Sequence, residues 1–238
     1  MQTLANKKSH FHWLDLTRFI SALIVVIVHA RGFSFVEYGA LIDTEKSLIV
    51  TIFYAITRLG GEAVIVFFVL SGFLVGGRSI QKILNKTFVP FEYAIDRIVR
   101  IFLPLIPALL LTSFVSMVIS DEINLFHLLG NILSLQGVFV PSFGGNAPLW
   151  SLSYEVWFYV AIFAIGLMSI GKNYFYVAIM LLAVVALIFT SLNSTFLFCW
   201  AFGAVAYGYK PKKVSLKLIF LFLTILAYSV VSIQLGVD

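Results

Sequence analysis

The sequence predicts an all-α protein, a polytopic transmembrane helical bundle of about seven spans. Three observations lead there. Hydrophobic residues make up 61% of the chain and charged residues 11%, against about 45–50% and about 25% in soluble domains. The mean hydropathy is +1.03. Long apolar runs recur along the chain, separated by shorter polar segments that hold most of the Lys and Arg. So few charges cannot cover a soluble surface, whereas in a bilayer the lipid is the solvent for most of it. At about 20 residues per span, the 238 residues leave no room for a second, soluble domain.

The first run, 13–35, follows Lys7 and Lys8 and so resembles a signal peptide. It contains Arg18 and His29, and no small-x-small cleavage site follows it, so it reads as a retained first span. The apolar stretch 48–57 is too short to cross unaided and is expected in the outer interfacial layer. The runs at 63–77 and 101–119 are spans, joined by a connection rich in base: Arg78, Lys82, Lys86, Arg97 and Arg100. The segment 123–140 is mixed, with His127, Asn131 and Gln136. A loop from Pro141 to Pro148 follows, and then runs at 149–170, 174–192, 195–209 and 215–235.

Orientation follows from the basic residues, which stay on the cytoplasmic side. The N-terminus, the 78–100 connection and the cluster Lys210, Lys212, Lys213 and Lys217 all satisfy that rule if 123–140 does not cross. That segment is therefore expected to be interfacial or re-entrant on the outer side. The protein reads as a multi-pass cell-membrane protein with a cytoplasmic N-terminus.

The net charge of +5 belongs to these connections and points to anionic lipid or phosphate. Basic residues interleaved with stacking aromatics, as single-strand binding requires, are missing, so nucleic acid is not an expected partner. One cysteine, Cys199, permits neither an internal disulfide nor a cysteine metal cluster, and it reads as packing. No metal site is expected.

Polar groups inside spans cost free energy and are the first candidates for function. Arg18 and His29 are eleven positions apart, which on a helix puts them about 20° apart around the axis and about 16 Å apart along it. Asp15 lies one turn from Arg18 and can pair with it. Near the inner end, Asp15 and Arg18 can equally snorkel to the interface, and His29 can be an ordinary hydrogen-bonded histidine. In FFVLSGFLVGG, Ser71 and Gly72 make a small step suited to close helix packing. Arg97 and Arg100 share a helix face before a span, either as a positive-inside anchor or as a phosphate clamp. Lys82 and Lys86, one turn apart, can add charge. Glu155 is the odd member of PLWSLSYEVWFYV and needs a partner, with His29 or Arg58 on the same expected side.

Taken together, these segments resemble the acyltransferase type 3 family of membrane acyltransferases, which includes surface-glycan O-acetyltransferases. LDLTRFISALIVVIVHA is similar to its first span with an Arg-x10-His pattern, and FFVLSGFLVGG to its second. RIVRIFLP is similar to its cytoplasmic Arg-x-x-Arg segment, and PLWSLSYEVWFYV to its Trp-Ser-Leu-Ser…Glu segment. The four occur in the family's order over 13–160; later runs match by hydropathy alone.

The resemblance implies an acyl-coenzyme A donor, usually acetyl-coenzyme A, bound from the cytoplasm, and an acceptor hydroxyl on a glycan or lipid-linked sugar. It implies His29, Arg18 and Glu155 as catalytic residues, with His29 as the proton acceptor, Arg18 its partner arginine and Glu155 the acidic residue of the fourth motif. It implies Arg97 and Arg100 at the donor, with Lys82 and Ser71 as further donor-site candidates. A covalent acyl-histidine is a variant of the same chemistry. Members typically carry more spans and longer chains, so residues 1–238 are expected to form a single acyltransferase domain without the family's C-terminal helices. Two other readings compete. A transporter would show matched broken helices in two halves, which the sequence does not. A truncated, partner-dependent membrane protein would fit the short length.

Overall fold

The computed structural model describes residues 12–119 and 122–208. Lys7, Lys8, the 210–217 lysine cluster and the run expected at 215–235 lie outside the described residues. Among those described there are no strands; the chain is a succession of helices joined by short turns. It divides into two compact units, described here over 12–67 and Phe68–Gly208.

The first unit opens with α1, His12–Ser34, which runs unbroken through the first apolar segment. Two short 3-10 turns lead to α2, Leu48–Thr57, whose Ser47 cap accepts a hydrogen bond from the Val50 amide at 3.3 Å. The end of α1, the turns and α2 are held by aromatic contacts. Phe35 packs on Phe53 and Tyr38 on Tyr54. The Tyr54 hydroxyl donates to the Val36 carbonyl at 2.6 Å, and the Arg31 guanidinium lies 5.1 Å from the Tyr54 ring centre. Only Arg58 and Leu59 separate α2 from α3, Gly60–Ser71. The short segment expected to lie apart in the interface thus leads directly into the next span.

In the second unit, α3 continues into a π-helical segment, Gly72–Gly77, and then α4, Arg78–Leu84. The π segment is possible because three glycines let another helix approach. That helix is α9, Ser194–Gly208. A Cβ on Gly72 would overlap the Trp200 carbonyl, one on Gly77 the Tyr207 side chain, and one on Gly203 the Val69 carbonyl. Each helix thus presses its glycine against the other's backbone, the close approach small residues give inside membranes.

Helix α5, Pro90–Val118, begins with proline at its first turn after an extended Val89. It keeps its course through Pro104 and Pro107. The helix starts well before the apolar run, so Arg97 and Arg100 stand on the spanning helix itself. Helix α6, Leu125–Ile132, is capped by Asn124 and has eight residues; at 1.5 Å per residue it is about 12 Å long, far below the ~30 Å of a bilayer core. The segment 123–140 therefore does not cross as one helix, as the orientation of the basic residues leads one to expect. Helices α7, Trp150–Ile170, and α8, Phe175–Ser191, complete the unit.

Five stretches among the described residues are long and apolar enough to cross a membrane: His12–Ala40, Leu48–Leu84, Pro90–Val118, Ala147–Ile170 and Lys172–Ser191. Helix α9 is apolar but shorter.

Helix α7 is the centre of the second unit. Phe158 and Tyr154 pack with Phe68, Phe196 and Trp200 in an aromatic cluster, while Tyr159 joins Ile101, Leu105 and Leu109 of α5 in a second core. The chain between α6 and α7 is tied down by buried polar groups. Asn131, fully buried, donates from Nδ2 to the His127 and Pro141 carbonyls at 2.8 and 2.9 Å and accepts from the Phe143 amide at 3.2 Å. Ser134 is in the left-handed region (φ 55°), and its carbonyl accepts from Ser153 Oγ at 2.8 Å and Trp157 Nε1 at 3.0 Å.

Candidate active site

In the first unit, the continuous α1 carries both Arg18 and His29. Leu14, Arg18, Ser21, Val25, Val28 and His29 form its less exposed stripe, with Ser21 buried. The shared face follows from helical periodicity, and Ser21 is a small polar residue on it that the sequence reading passed over.

The second unit gathers the other candidates. Tyr159 is their hub. Its hydroxyl donates to Glu155, one turn earlier on α7. Arg100, one turn on from Arg97, is exposed. The Tyr159 carbonyl accepts from the Tyr93 hydroxyl at 3.2 Å. The Arg97 guanidinium lies 5.3 Å from the Tyr159 ring centre and 5.9 Å from that of Tyr93, close enough for cation–π attraction to both. Ser71 also accepts from Trp200 Nε1 at 3.3 Å. Thus Arg97 and Glu155, from two separate sequence segments, converge on one tyrosine. The partner that this unit gives Glu155 is Tyr159.

Arg97 walls two cavities. One, of about 150 Å³, is polar and lies among the π segment, α4 and the first turns of α5. Arg78, Lys82 and Arg97 bring positive charge to it, Glu92 and Asp96 negative charge, and Ser79 a hydroxyl. The other, of about 190 Å³, lies between α5 and α7 and is walled almost entirely by apolar side chains. Among the described residues, the Arg97 Nε and Nη1 are buried without a hydrogen-bond acceptor. A buried charge without a partner is costly, and a planar guanidinium with free donors suits a phosphate oxygen pair. Lys86 is not among the residues that line the polar cavity and sits in an exposed turn with φ 56°.

Arg78 was visible in sequence only as one of several connecting cations. Tyr93 gave no signal. Tyr159 stands in the fourth motif, and its spacing of four from Glu155 on a helix was the available clue. Trp200 lies in a run that matched by hydropathy alone. Among the described residues no cluster of His, Cys, Asp and Glu could hold a metal.

No curated protein and no solved structure matches the chain. The family model of the type 3 acyltransferase domain, described as "Acyltransferase domain", matches residues 11–237. That match covers nearly the whole chain and contains all four motifs, so the chain belongs to the acyltransferase type 3 family and is a membrane acyltransferase.

Proposed function

We propose that the protein moves an acyl group, acetyl in the first instance, from acyl-coenzyme A to a hydroxyl of a cell-surface glycan or its lipid-linked precursor. It does so in the cell membrane with its N-terminus in the cytoplasm. The observation that carries the donor assignment is the polar cavity, where Arg78 and Lys82 meet an Arg97 whose Nε and Nη1 are buried without an acceptor among the described residues. Coenzyme A offers a pyrophosphate and a 3′-phosphate, and arginine forks and lysine point charges are the side chains that bind them. Tyr159 lies against Arg97, and Glu155 fixes the Tyr159 hydroxyl. These last residues position the clamp.

The transfer needs a base for the acceptor hydroxyl. His29 fills that role as a neutral imidazole. It takes the hydroxyl proton while the oxygen attacks the thioester carbonyl carbon. The carbon–sulfur bond breaks, the coenzyme leaves as thiolate, and the proton on His29 passes to that sulfur. The products are an ester and free coenzyme A. Arg18, on the same face of α1, braces that face or holds a donor phosphate.

The reading is tested on envelope glycan from cells with and without this chain. Base-labile acetyl esters present only in cells carrying the chain are expected. Identical glycan from both, with the protein inserted in the membrane, would overturn the glycan assignment.

A further inference from the structure

Arg97 shares the wall of the polar cavity with Glu92 and Asp96 of its own helix. A buried charge beside an opposite one ordinarily pairs with it. Among the described residues, its Nε and Nη1 bond to neither carboxylate nor to any other acceptor. The side chain is held instead by ring faces. Tyr93 stands one turn before Arg97 on α5, and Tyr159 comes from α7. Their ring centres lie 5.9 and 5.3 Å from the guanidinium, within the about 6 Å over which a ring attracts a cation. Rings and carboxylates thus compete for one guanidinium, and the rings hold it.

The Tyr93 ring is itself fixed from three directions. Its hydroxyl donates to the Tyr159 carbonyl at 3.2 Å. Phe163 of α7 stacks on it, with ring centres 6.4 Å apart and planes 18° apart. Phe88, buried between α4 and α5, packs against it at 5.3 Å. Phe88 rests where α7 has no side chain, since a Cβ on Gly166 would overlap its ring. Gly166 therefore admits Phe88, Phe88 and Phe163 set the Tyr93 ring, and that ring faces Arg97.

We propose that Tyr93 is a positioning residue for the acyl donor. Its ring keeps the Arg97 guanidinium off Glu92 and Asp96 and open to a donor phosphate, and the seat of Phe88 on Gly166 keeps the ring in place. The proposal rests on the donor reading of the polar cavity.

The test is calorimetric titration of coenzyme A into the full chain purified in detergent. Tyr93→Leu removes the ring face and is expected to weaken binding roughly 3–30-fold, the range of one cation–π contact. Tyr93→Phe keeps the ring face and is expected to restore binding to near the wild-type value. Gly166→Ala pushes on the Phe88 ring, is expected to weaken binding in the same direction, and decides the matter if Tyr93→Leu does not fold. In an Arg97→Ala background neither substitution is expected to weaken binding further, because both act through the guanidinium. Three results would overturn the proposal and leave the donor reading standing, provided Arg97→Ala itself weakens binding. They are unchanged affinity in folded Tyr93→Leu or Gly166→Ala, a loss that Tyr93→Phe does not recover, and losses that multiply in the double variants. Unchanged affinity in Arg97→Ala, or no binding by the wild type, would remove the donor reading and this proposal with it.

Discussion

Among the described residues, the Nε and Nη1 of Arg97 are buried without an acceptor, and its guanidinium lies against two tyrosine rings. Rings stabilise a cation without using its hydrogen-bond donors, which leaves the fork free for phosphate. A charge-assisted hydrogen bond is worth about 1.5–3 kcal/mol, so Arg97→Ala is expected to raise the KM for acyl-coenzyme A by roughly 10–100-fold with a smaller change in kcat. Arg97→Lys recovers little, because a point charge does not reproduce the planar fork. Steady-state transfer rates at varied donor concentration check both. Gly72 tests packing at the same scale. Its missing Cβ would sit in the Trp200 carbonyl, which is backbone and cannot rotate away. Gly72→Ala is expected to cost about 1–3 kcal/mol, seen as a lower unfolding temperature in detergent. Sequence alone indicated that Ser71 and Gly72 were small for packing, and it left Arg97 as either a positive-inside anchor or a phosphate clamp. It could not indicate Tyr93, because a tyrosine near a membrane interface is commonplace, and its meaning comes from where the Arg97 side chain folds.

Helix α7 separates the residues of its motif that hold the fold from those that face Arg97. In the fourth motif, Ser153 and Trp157 both grip the Ser134 carbonyl, and Tyr154 accepts from the Asn193 amide at 3.0 Å. These residues lash α7 to the chain before it and to the turn before α9. Glu155 and Tyr159 lie on a different stripe of the same helix, toward Arg97. Period and residue type reveal an apolar helix with an odd glutamate; the division of labour within it depends on tertiary partners. The lashing is itself testable. Asn131 donates to two carbonyls and accepts from one amide while fully buried. Asn131→Asp replaces the donor with an oxygen facing those carbonyls. It is expected to destabilise more than Asn131→Ala, which leaves unmet groups at about 1–3 kcal/mol. Thermal unfolding of the two variants side by side decides the order.

Across the whole molecule, composition and hydropathy made the helical membrane class legible, and four separated motifs made the family legible. Span limits were less so. Residues 48–57 looked too short to cross, but only two residues part them from α3, and the structure joins them into the stretch Leu48–Leu84. Arg97 and Arg100 read as a helix face just before a span, and Pro90 starts that helix a full two turns earlier. Hydropathy marks where lipid begins, and helices extend past that limit whenever a cap allows. Topology is the expectation that belongs at this scale. In a Cys199→Ser background, Lys86→Cys is expected to react with a membrane-impermeant maleimide only in inside-out vesicles, and Ala147→Cys only in intact cells. Labelling of both from one side would reverse the positive-inside assignment.

The central claim is acyl transfer that depends on His29. Membranes carrying the wild-type chain, the His29→Ala variant or neither are incubated with acetyl-labelled acetyl-coenzyme A, and label in the envelope glycan fraction is counted. Losing a general base typically costs about 10²–10⁴-fold, so the wild type is expected to incorporate label and the His29→Ala membranes to fall to the level of membranes without the chain. Equal incorporation by wild type and His29→Ala, with both proteins inserted in equal amount, would contradict the account.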